Sequence, residues 1–311
     1  MSSATPPADL QRFRLTVAYD GSAFFGWQKQ EPKGLEPLRT VQGELEKALI
    51  QVLRLPKQDI DMLGASRTDA GVHALGQTCH FNAPASFPVD RLRAAVNSRL
   101  PEDIDVRHVE PTYPEFDAIS GAKRKQYRYR FFNGVRRPLW ERQRVYHEPR
   151  PLDVEAMKRA AAKLVGTRDV VGLASSHHGR TSTVRTIFSC HVEEHPCPPT
   201  PAAPGREASA ADDVAREIHA VVVGDGFLYH MVRIIAGTLL DVGKGRFGPE
   251  RIDEIFETNN RRLAGPTMPA AGLCLEWIDY EDCREDSYER HTQRRKDAKT
   301  QRREESVDPA G

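Results

Sequence analysis

The amino-acid sequence predicts an α+β protein whose two halves meet over a cleft. Segments with alternating apolar residues, which indicate strands, and segments with apolar residues at helical spacing follow each other in a similar order in each half. The chain has 311 residues, of which 39% are hydrophobic, so it can bury the core of one large domain or of two medium ones. Ligands often bind between two such halves, and the cleft is therefore the expected site.

The first half, residues 12–120, is predicted to contain three strands and two helices. Three segments of alternating apolar residues predict strands, at residues 13–19, 77–82 and 104–109. Thr40 is a candidate N-cap for a helix that runs to Leu53, because apolar residues follow it at helical spacing. A second helix is expected to begin near Pro88.

The second half, residues 121–280, repeats this order less regularly. Four segments there predict strands, at residues 125–132, 183–193, 217–223 and 272–280. Asp153 is a candidate N-cap for a helix that ends near Val165, and further helices are expected at residues 227–240 and 249–257.

Three segments are predicted to lie outside the folded core. Residues 1–11 are short and contain Pro and Ala, and we expect a disordered N-terminus. Residues 196–213 are rich in Pro, Ala and Ser, which predicts a flexible insertion between two antiparallel strands. Residues 281–311 contain nine acids, eight bases and few apolar side chains, so they cannot offset their ordering entropy and are expected to form a disordered tail.

Composition argues against several classes of protein. No apolar run is long enough to span a membrane, and residues 1–11 lack the apolar core of a secretion signal. The five cysteines are odd in number and have no Cys-x-x-Cys spacing, which argues against a disulfide framework and against a zinc site. We therefore expect a protein of the reducing cytoplasm.

The most unusual stretch is Gly-Ala-Ser-Arg-Thr-Asp-Ala-Gly-Val-His-Ala-Leu-Gly-Gln, at residues 64–77. Three glycines surround a single acid, Asp69, and Arg67 lies two residues before it. Glycine permits tight bends and close approach, so such a loop is able to present Asp69 to a ligand. The alternative is an Asx turn, in which the acid bonds its own backbone, and for this short motif alone the turn is favoured.

A second unusual stretch, residues 121–150, combines basic and aromatic side chains. It contains ten Lys or Arg against two Glu, whereas the net charge of the whole chain is only +1. Six aromatic residues are interleaved with the bases: Tyr127, Tyr129, Phe131, Phe132, Trp140 and Tyr146. Bases neutralise phosphates and aromatic rings stack on exposed nucleobases, which favours contact with nucleic acid. The alternative is a solvated strand whose aromatic residues pack into the core.

Five stretches, in this order and spacing, resemble the tRNA pseudouridine synthase A (TruA) family. They are Tyr-Asp-Gly-Ser to Gly-Trp-Gln at 19–28, the loop at 67–77, Lys-Gln-Tyr-Arg-Tyr at 125–129, Gly-Phe-Leu-Tyr-His-Met-Val-Arg at 226–233 and Pro-Ala-Ala-Gly-Leu-Cys-Leu at 269–275. The resemblance covers most of residues 13–280. Most members of the family have Gly where this sequence has Ser66, a departure that leaves the acid untouched and is expected to tighten the turn.

The resemblance implies a role for each of five residues. Asp69 corresponds to the essential acid, and Arg233 looks like the residue that pairs with it. Arg67 is implied to reach phosphate or to help extrude the target nucleotide. Tyr127 matches the tyrosine that covers the flipped uracil and assists proton removal from C5, and Leu273 is implied to supply an apolar wall.

Several of these residues also have a plainer interpretation. Tyr127 on an alternating strand is compatible with a core residue, and Arg233 with a surface cation near a helix end. Trp27 is interpreted as core packing and Asp20 as a turn residue. Three histidines near the motifs lack the spacing of a metal-ligand set: His73, His80 and His230. We expect His73 and His230 to be structural or to contact RNA.

The resemblance therefore implies a tRNA-modifying isomerase with two ferredoxin-like, or RRM-like, halves, a mixed, mainly antiparallel sheet and a central basic cleft. The family forms pseudouridine at positions 38 to 40 of the tRNA anticodon stem-loop, requires neither a cofactor nor a metal, and forms homodimers. Two alternatives remain at this point. One is a non-catalytic RNA-binding module on the same scaffold, and the other is the same enzyme acting on a different RNA.

Overall fold

The structure, a computed structural model, describes residues 10–34, 36–54, 60–84, 88–175, 181–197 and 215–280. These residues form one ten-stranded sheet and five α-helices. The strands are β1 (Leu10–Tyr19), β2 (Leu63–Gly64), β3 (His73–Pro84), β4 (Ile104–Thr112), β5 (Arg124–Asn133), β6 (Tyr146–Glu148), β7 (Gly166–Asp169), β8 (Val184–Pro196), β9 (Arg216–Gly224) and β10 (Leu273–Asp279). The helices are α1 (Val41–Leu53), α2 (Val89–Asn97), α3 (Val154–Lys163), α4 (Met231–Gly243) and α5 (Arg251–Thr258).

The order of strands gives the two halves the same topology. Along the sheet the strands follow the order β4-β1-β3-β10-β5-β9-β8-β7, with β2 paired to β3 and β6 to β5. The first half is ordered β4-β1-β3-β2 and the second β10-β5-β9-β8, so each half places its fourth, first, third and second main strands side by side. A helix follows the first and the third of these strands in both halves, which is the ferredoxin-like arrangement. The predicted fold class is confirmed.

The two halves join through β10. This strand pairs parallel to β3, with Cys274 opposite His73 and Leu275 opposite Ala74, and antiparallel to β5 on its other side. Apart from β3–β10 and β5–β6, the described pairs are antiparallel, so the sheet is mixed and mainly antiparallel as predicted. The N-terminal ends of β3 and β10 therefore lie together at the centre of the sheet.

Two predicted helix caps are confirmed. The Thr40 hydroxyl accepts a hydrogen bond from the Gly43 backbone N–H at 3.3 Å, and the Asp153 carboxylate accepts one from Ala156 at 2.9 Å. Such caps satisfy backbone donors that the first turn of a helix leaves free. They hold the starts of α1 and α3 at the residues where the sequence predicted them.

Other boundaries differ from the prediction. Helix α4 begins at Met231 rather than at residue 227, because His230 has left-handed backbone angles (φ 62°) that no α-helix continues through. Strand β1 begins at Leu10, so residues 10 and 11 belong to the sheet and were wrongly included in the disordered N-terminus. Strands β6 and β7 were missed because they have only three and four residues, too few for a period to be visible.

The remaining predicted disordered segments fall largely outside the described residues. This applies to residues 1–9, to residues 198–213 of the predicted insertion and to the tail at 281–311. The first residue of the predicted insertion, Pro196, was placed wrongly, because it is the last residue of β8 and pairs with β9. The two strands that flank the insertion, β8 and β9, pair antiparallel as expected, with Pro196 opposite Arg216. Within the described ranges, none of the helices combines the length and the apolar character needed to cross a membrane.

Candidate active site

The loop that carries Asp69 lies between β2 and β3 and is held by the segment that follows β1. The backbone N–H of Trp27 donates to the Thr68 carbonyl at 3.1 Å, and the N–H of Gly71 donates to the Phe24 carbonyl at 3.2 Å. Gly26 (φ +91°) packs so closely that a Cβ there would lie 2.6 Å from the Thr68 carbonyl oxygen. The loop therefore depends on glycine for its close backbone contacts.

Trp27 supports this loop from the core. Its side chain is 2% exposed, as expected for a packing residue. The ring lies against Gly64, where an added Cβ would come 2.1 Å from the indole nitrogen. The Asp20 carboxylate likewise forms the predicted turn, accepting hydrogen bonds from the backbone N–H and the hydroxyl of Ser22 at 3.1 and 2.6 Å.

The structure brings Asp69 and Arg233 together. Arg233 lies in the first turn of α4, and its Nη1 donates to Asp69 Oδ2 at 3.0 Å. The same guanidinium is fixed from behind, because its Nε donates to the Met268 carbonyl at 2.6 Å. The Arg233 side chain is 15% exposed and that of Asp69 is 25% exposed. The acid therefore faces solvent in part, while its cationic partner is locked in one position.

His230 is a neighbour of Asp69 whose position the sequence did not predict. Its Nε2 lies 3.4 Å from Asp69 Oδ2, and its Nδ1 is hydrogen-bonded to the Ser175 hydroxyl at 3.0 Å. Burial lowers the pKa of His230, with Arg233 acting in the same direction and Asp69 opposing both. The sequence signal was its place in the same motif as Arg233, three residues earlier.

Tyr127, on β5, is more deeply buried than its predicted role suggests. The residue is 6% exposed, and its ring packs edge-on against Phe227 with the centroids 5.2 Å apart. Its hydroxyl is 2.7 Å from the Ser66 hydroxyl, so the phenol touches the loop that carries Asp69. Burial raises the pKa of Tyr127 to about 12, and the phenol is therefore neutral at physiological pH. Stacking of this ring on a nucleobase stays a prediction.

Ser66 itself is held on both sides by the buried side chain of Gln77. The Gln77 Oε1 accepts from the Ser66 N–H at 3.2 Å, and its Nε2 donates to the Ser66 carbonyl at 2.5 Å. This clamp fixes the backbone three residues before Asp69 and aims the Ser66 hydroxyl at Tyr127. The serine that departs from the family pattern thus joins the loop to β5.

Leu273 and Arg67 complete the set of predicted site residues. Leu273 is the first residue of β10, is 6% exposed and lies opposite Tyr129 in the strand register, as suits an apolar wall. Arg67 is exposed and, among the residues that the structure describes, forms neither a hydrogen bond nor an ion pair. It is therefore not brought to Asp69, despite lying only two residues away, and its guanidinium points to no described partner.

The other two histidines of the motifs are structural. The Nδ1 of His73 accepts from the Gly21 N–H at 3.1 Å and its Nε2 is 2.9 Å from the Gln143 carbonyl, while burial lowers its pKa. The Nδ1 of His80 accepts from the Ala118 N–H at 3.1 Å, and burial lowers the pKa of His80 to about 4. Neither lies with Asp69 in a cluster able to hold a metal, within the part of the chain that the structure describes.

The basic and aromatic stretch at residues 121–150 divides into two parts. Tyr129 and Phe131 on β5 are fully buried, so for these rings the core interpretation is correct. Trp140, in the loop that follows, is 91% exposed. Several bases are already paired with acids: Arg124 with Asp279, Arg128 with Glu276, Arg130 with Glu217, Arg144 with Asp20 and Arg150 with Glu148. The excess positive charge is therefore partly neutralised within the fold.

Comparison with known proteins agrees with this geometry, in which an Arg-paired carboxylate lies at the junction of two ferredoxin-like halves. A family model described as tRNA pseudouridine synthase matches residues 15–118 and 160–281. The chain therefore belongs to the tRNA pseudouridine synthase family. Its members are isomerases that act on uridine in tRNA, so the chain is an enzyme of this class. Asp69, Arg233 and Leu273 lie inside the matched ranges, and Tyr127 lies between them.

Curated relatives match over nearly their whole length. The tRNA pseudouridine synthase A of Bacillus licheniformis is 40% identical over 271 residues, which cover 87% of this chain and 100% of the relative. The protein of the same name from Moorella thermoacetica is 42% identical over 267 residues, covering 86% of this chain and 98% of the relative. That from a Geobacillus strain is 39% identical over 272 residues, with 88% and 99% covered.

Proposed function

We propose that this chain forms pseudouridine at positions 38 to 40 of the tRNA anticodon stem-loop, with Asp69 as the essential acid. The observation that carries the proposal is the pairing of Asp69 Oδ2 with Arg233 at 3.0 Å, between the two halves of the fold. The likeness to relatives named tRNA pseudouridine synthase A supports tRNA as the substrate, and the positions follow from the family resemblance.

The reaction sets the chemistry that the site must supply. Uridine becomes pseudouridine when the bond from C1′ to N1 breaks, the bond from C1′ to C5 forms, N1 takes up a proton from solvent, and the proton on C5 is released to solvent. No electron is gained or lost overall. A carboxylate that is ionised, oriented and partly open to the substrate is suited to assist by attack or by charge stabilisation. Arg233 balances the charge of Asp69 and fixes its direction.

The reacting base must leave the RNA stack before Asp69 can reach it. Unstacking costs a few kcal/mol, so the site needs apolar contacts that receive the base. Leu273 is buried next to the site and is proposed as part of that wall. The side of the Tyr127 ring that faces the Asp69 loop is proposed to cover the base. The neutral hydroxyl of Tyr127 is proposed to form a hydrogen bond at the same place.

Arg67 is proposed to act on the RNA backbone and not on the reaction itself. Its side chain is exposed, and within the described residues it has no acidic partner to compete with a phosphate. A guanidinium at the rim of the Asp69 loop is able to bind a phosphate next to the flipped nucleotide. We further propose that the enzyme works in the cytoplasm. We also propose that it is a homodimer, and light scattering of the purified chain measures this oligomeric state directly.

The experiment that tests the proposed function is tritium release from tRNA labelled at uracil C5. Transcripts that keep uridine at only one of positions 38, 39 and 40 identify the reacting position. We expect release by the wild type and none by Asp69→Ala. The control is Asp90→Asn, which changes an exposed acid in the first turn of α2 and should release tritium at the wild-type rate. Absence of release from every transcript would contradict the enzymatic function, and release by Asp69→Ala would contradict the role of Asp69.

A further inference from the structure

A cluster of two histidines and two glutamates lies on β8 and β9, away from Asp69. Glu193 and His195 are two residues apart on β8, and their side chains therefore point to the same face of the sheet. Across the pair, Glu193 is opposite His219 and His195 is opposite Glu217 on β9. Opposite residues of an antiparallel pair share a face, so all four side chains meet there.

His219 has an unused nitrogen inside this cluster. The residue is only 7% exposed. Its Nε2 lies 2.8 Å from Glu217 Oε2, and because the ionised carboxylate can only accept, Nε2 must carry the proton of that hydrogen bond. In the neutral ring, Nδ1 then holds a free lone pair, and among the described residues this buried atom has no hydrogen-bond partner. Buried polar atoms without a partner are rare and costly.

Glu217 is fixed in the position that this arrangement needs. Arg130 donates two hydrogen bonds to its carboxylate, at 2.9 and 2.7 Å. A histidine that binds a metal usually donates its other N–H to a carboxylate, which orients the ring and sets the tautomer. Glu217 stands in that relation to His219.

Two further side chains lie close enough to complete a metal site. The ring centroids of His195 and His219 are 4.3 Å apart, and His195 Nε2 is 3.3 Å from Glu193 Oε2. One ligand atom from each of Glu193, His195 and His219 lies within 4.8 Å of the other two. Ligand atoms at the usual bond lengths around Zn²⁺ are about 3.3 Å apart, so the exposed Glu193 and His195 need to move by about 1 Å.

We propose that Glu193, His195 and His219 bind one divalent transition-metal ion, with a solvent molecule in the fourth position. Two imidazoles and one carboxylate suit Zn²⁺ or a neighbouring transition metal, whereas Mg²⁺ and Ca²⁺ prefer oxygen ligands alone. The ion would tie β8 to β9 near the ends of both strands. Cysteine spacing in the sequence gives no sign of this set, because its ligands are His and Glu residues that come together only through strand register.

A plain ion pair is the competing explanation, and the chain contains one for comparison. On β4, His108 Nε2 lies 3.3 Å from Glu110 Oε2, with the same two-residue spacing as His195 and Glu193. The residues opposite them on β1 are Thr16 and Arg14, neither of which is a neutral metal ligand of the imidazole type. This pair therefore has the histidine and the acid but lacks the buried second imidazole.

The test is calorimetric titration of the untagged, metal-free full chain with zinc chloride. We expect one Zn²⁺ per chain, with an affinity that falls by about tenfold or more in His195→Ala and in Glu193→Gln. Both residues are exposed, so these variants should fold even if a change at the buried His219 does not. Wild-type affinity is expected in His108→Ala. Lack of saturable uptake by the wild type, or equal uptake by the wild type and both cluster variants, would overturn the proposal.

Cys197 provides a second control for the identity of the ligands. It lies two residues beyond His195, but its sulfur is not one of the ligand atoms that lie within 4.8 Å of one another in this cluster. Cys197→Ser should therefore keep the zinc affinity of the wild type, and a loss in this variant would mean that the assigned ligand set is wrong.

Discussion

Two carboxylates in this molecule have the same kinds of partner but differ in how many of their oxygens are bonded. The first is Glu217 in the second half of the sheet, which is bonded by Arg130 and His219. Arg130 contacts both of its oxygens, and His219 adds a bond to Oε2. Three hydrogen bonds thus occupy both oxygens of Glu217 and fix its orientation. Glu217 is therefore suited to hold neighbouring side chains in place.

Asp69, at the junction of the halves, is bonded on one side only. The contacts from Arg233 and His230 are both to Oδ2, at 3.0 and 3.4 Å. Within the described ranges, Oδ1 of Asp69 accepts no hydrogen bond, and the side chain is 25% exposed. The same arginine–histidine–carboxylate grouping is therefore suited to a structural role where both oxygens are bonded, and to chemistry where one oxygen is free.

The largest effect is expected from Arg233, the partner of Asp69. Arg233→Met should lower kcat for tritium release by about 10³-fold, because Asp69 loses both its charge partner and its orientation. Arg233→Lys, which keeps the charge but cannot bond Asp69 and the Met268 carbonyl together, should recover only part of the rate. Steady-state kinetics of the two variants measure the difference. Equal rates for Arg233→Met and the wild type would show that Asp69 does not need its partner.

A smaller effect is expected from the hydroxyl of Tyr127. Tyr127→Phe removes the hydrogen bond to Ser66 but keeps the ring, so kcat should fall by about tenfold, with the Kd for tRNA unchanged. Since burial raises the pKa of this phenol to about 12, the hydroxyl stays protonated and no rate change should appear as pH passes 10. Ser66→Ala is the matched variant, because it removes the same hydrogen bond by changing the other partner. Normal turnover by Tyr127→Phe would rule out any part for the hydroxyl in proton transfer.

The smallest effect on the reaction, and the clearest effect on stability, is expected from Glu217, both of whose oxygens are hydrogen-bonded. Because the pKa of Glu217 is lowered from 4.5 to about 2 in the fold, its carboxylate stabilises the protein above pH 4.5 and this contribution is lost as pH falls toward 2. Glu217→Gln should therefore lower the free energy of unfolding at pH 7, with the gap to the wild type narrowing below pH 4.5. Urea titrations at several pH values measure the gap, and a gap that does not depend on pH would contradict this role.

Local signals in the sequence predicted the elements that local physics controls. Thr40 and Asp153 cap α1 and α3 as expected, since a cap is a contact between residues three apart. The start of α4 was misplaced because the left-handed angles of His230 depend on its contacts with Ser175 and Asp69, which are far away in the chain. Short strands such as β6 are likewise set by pairing and not by pattern.

In the candidate site, too, some features could be predicted from the sequence and others depend on how distant parts of the chain pack. The approach of Arg233 to Asp69 was expected because both belong to motifs that carry the family resemblance. The burial of Tyr127 and the place of Ser66 beside it follow from how β5 packs against the Asp69 loop, which no spacing in the sequence encodes. The cluster at His219 depends on the register of β8 against β9 and was therefore invisible before the strands were paired.

The role of Asp69 is tested most directly by measuring tRNA binding and tritium release in Asp69→Asn. This change keeps the shape of the side chain but replaces the ionised carboxylate, including the free Oδ1, with a neutral amide. We expect a Kd for tRNA within about threefold of the wild type, a difference below 1 kcal/mol, together with no tritium release in a single turnover. Single-turnover release by Asp69→Asn at a rate near that of the wild type would show that the ionised carboxylate is not needed for the reaction.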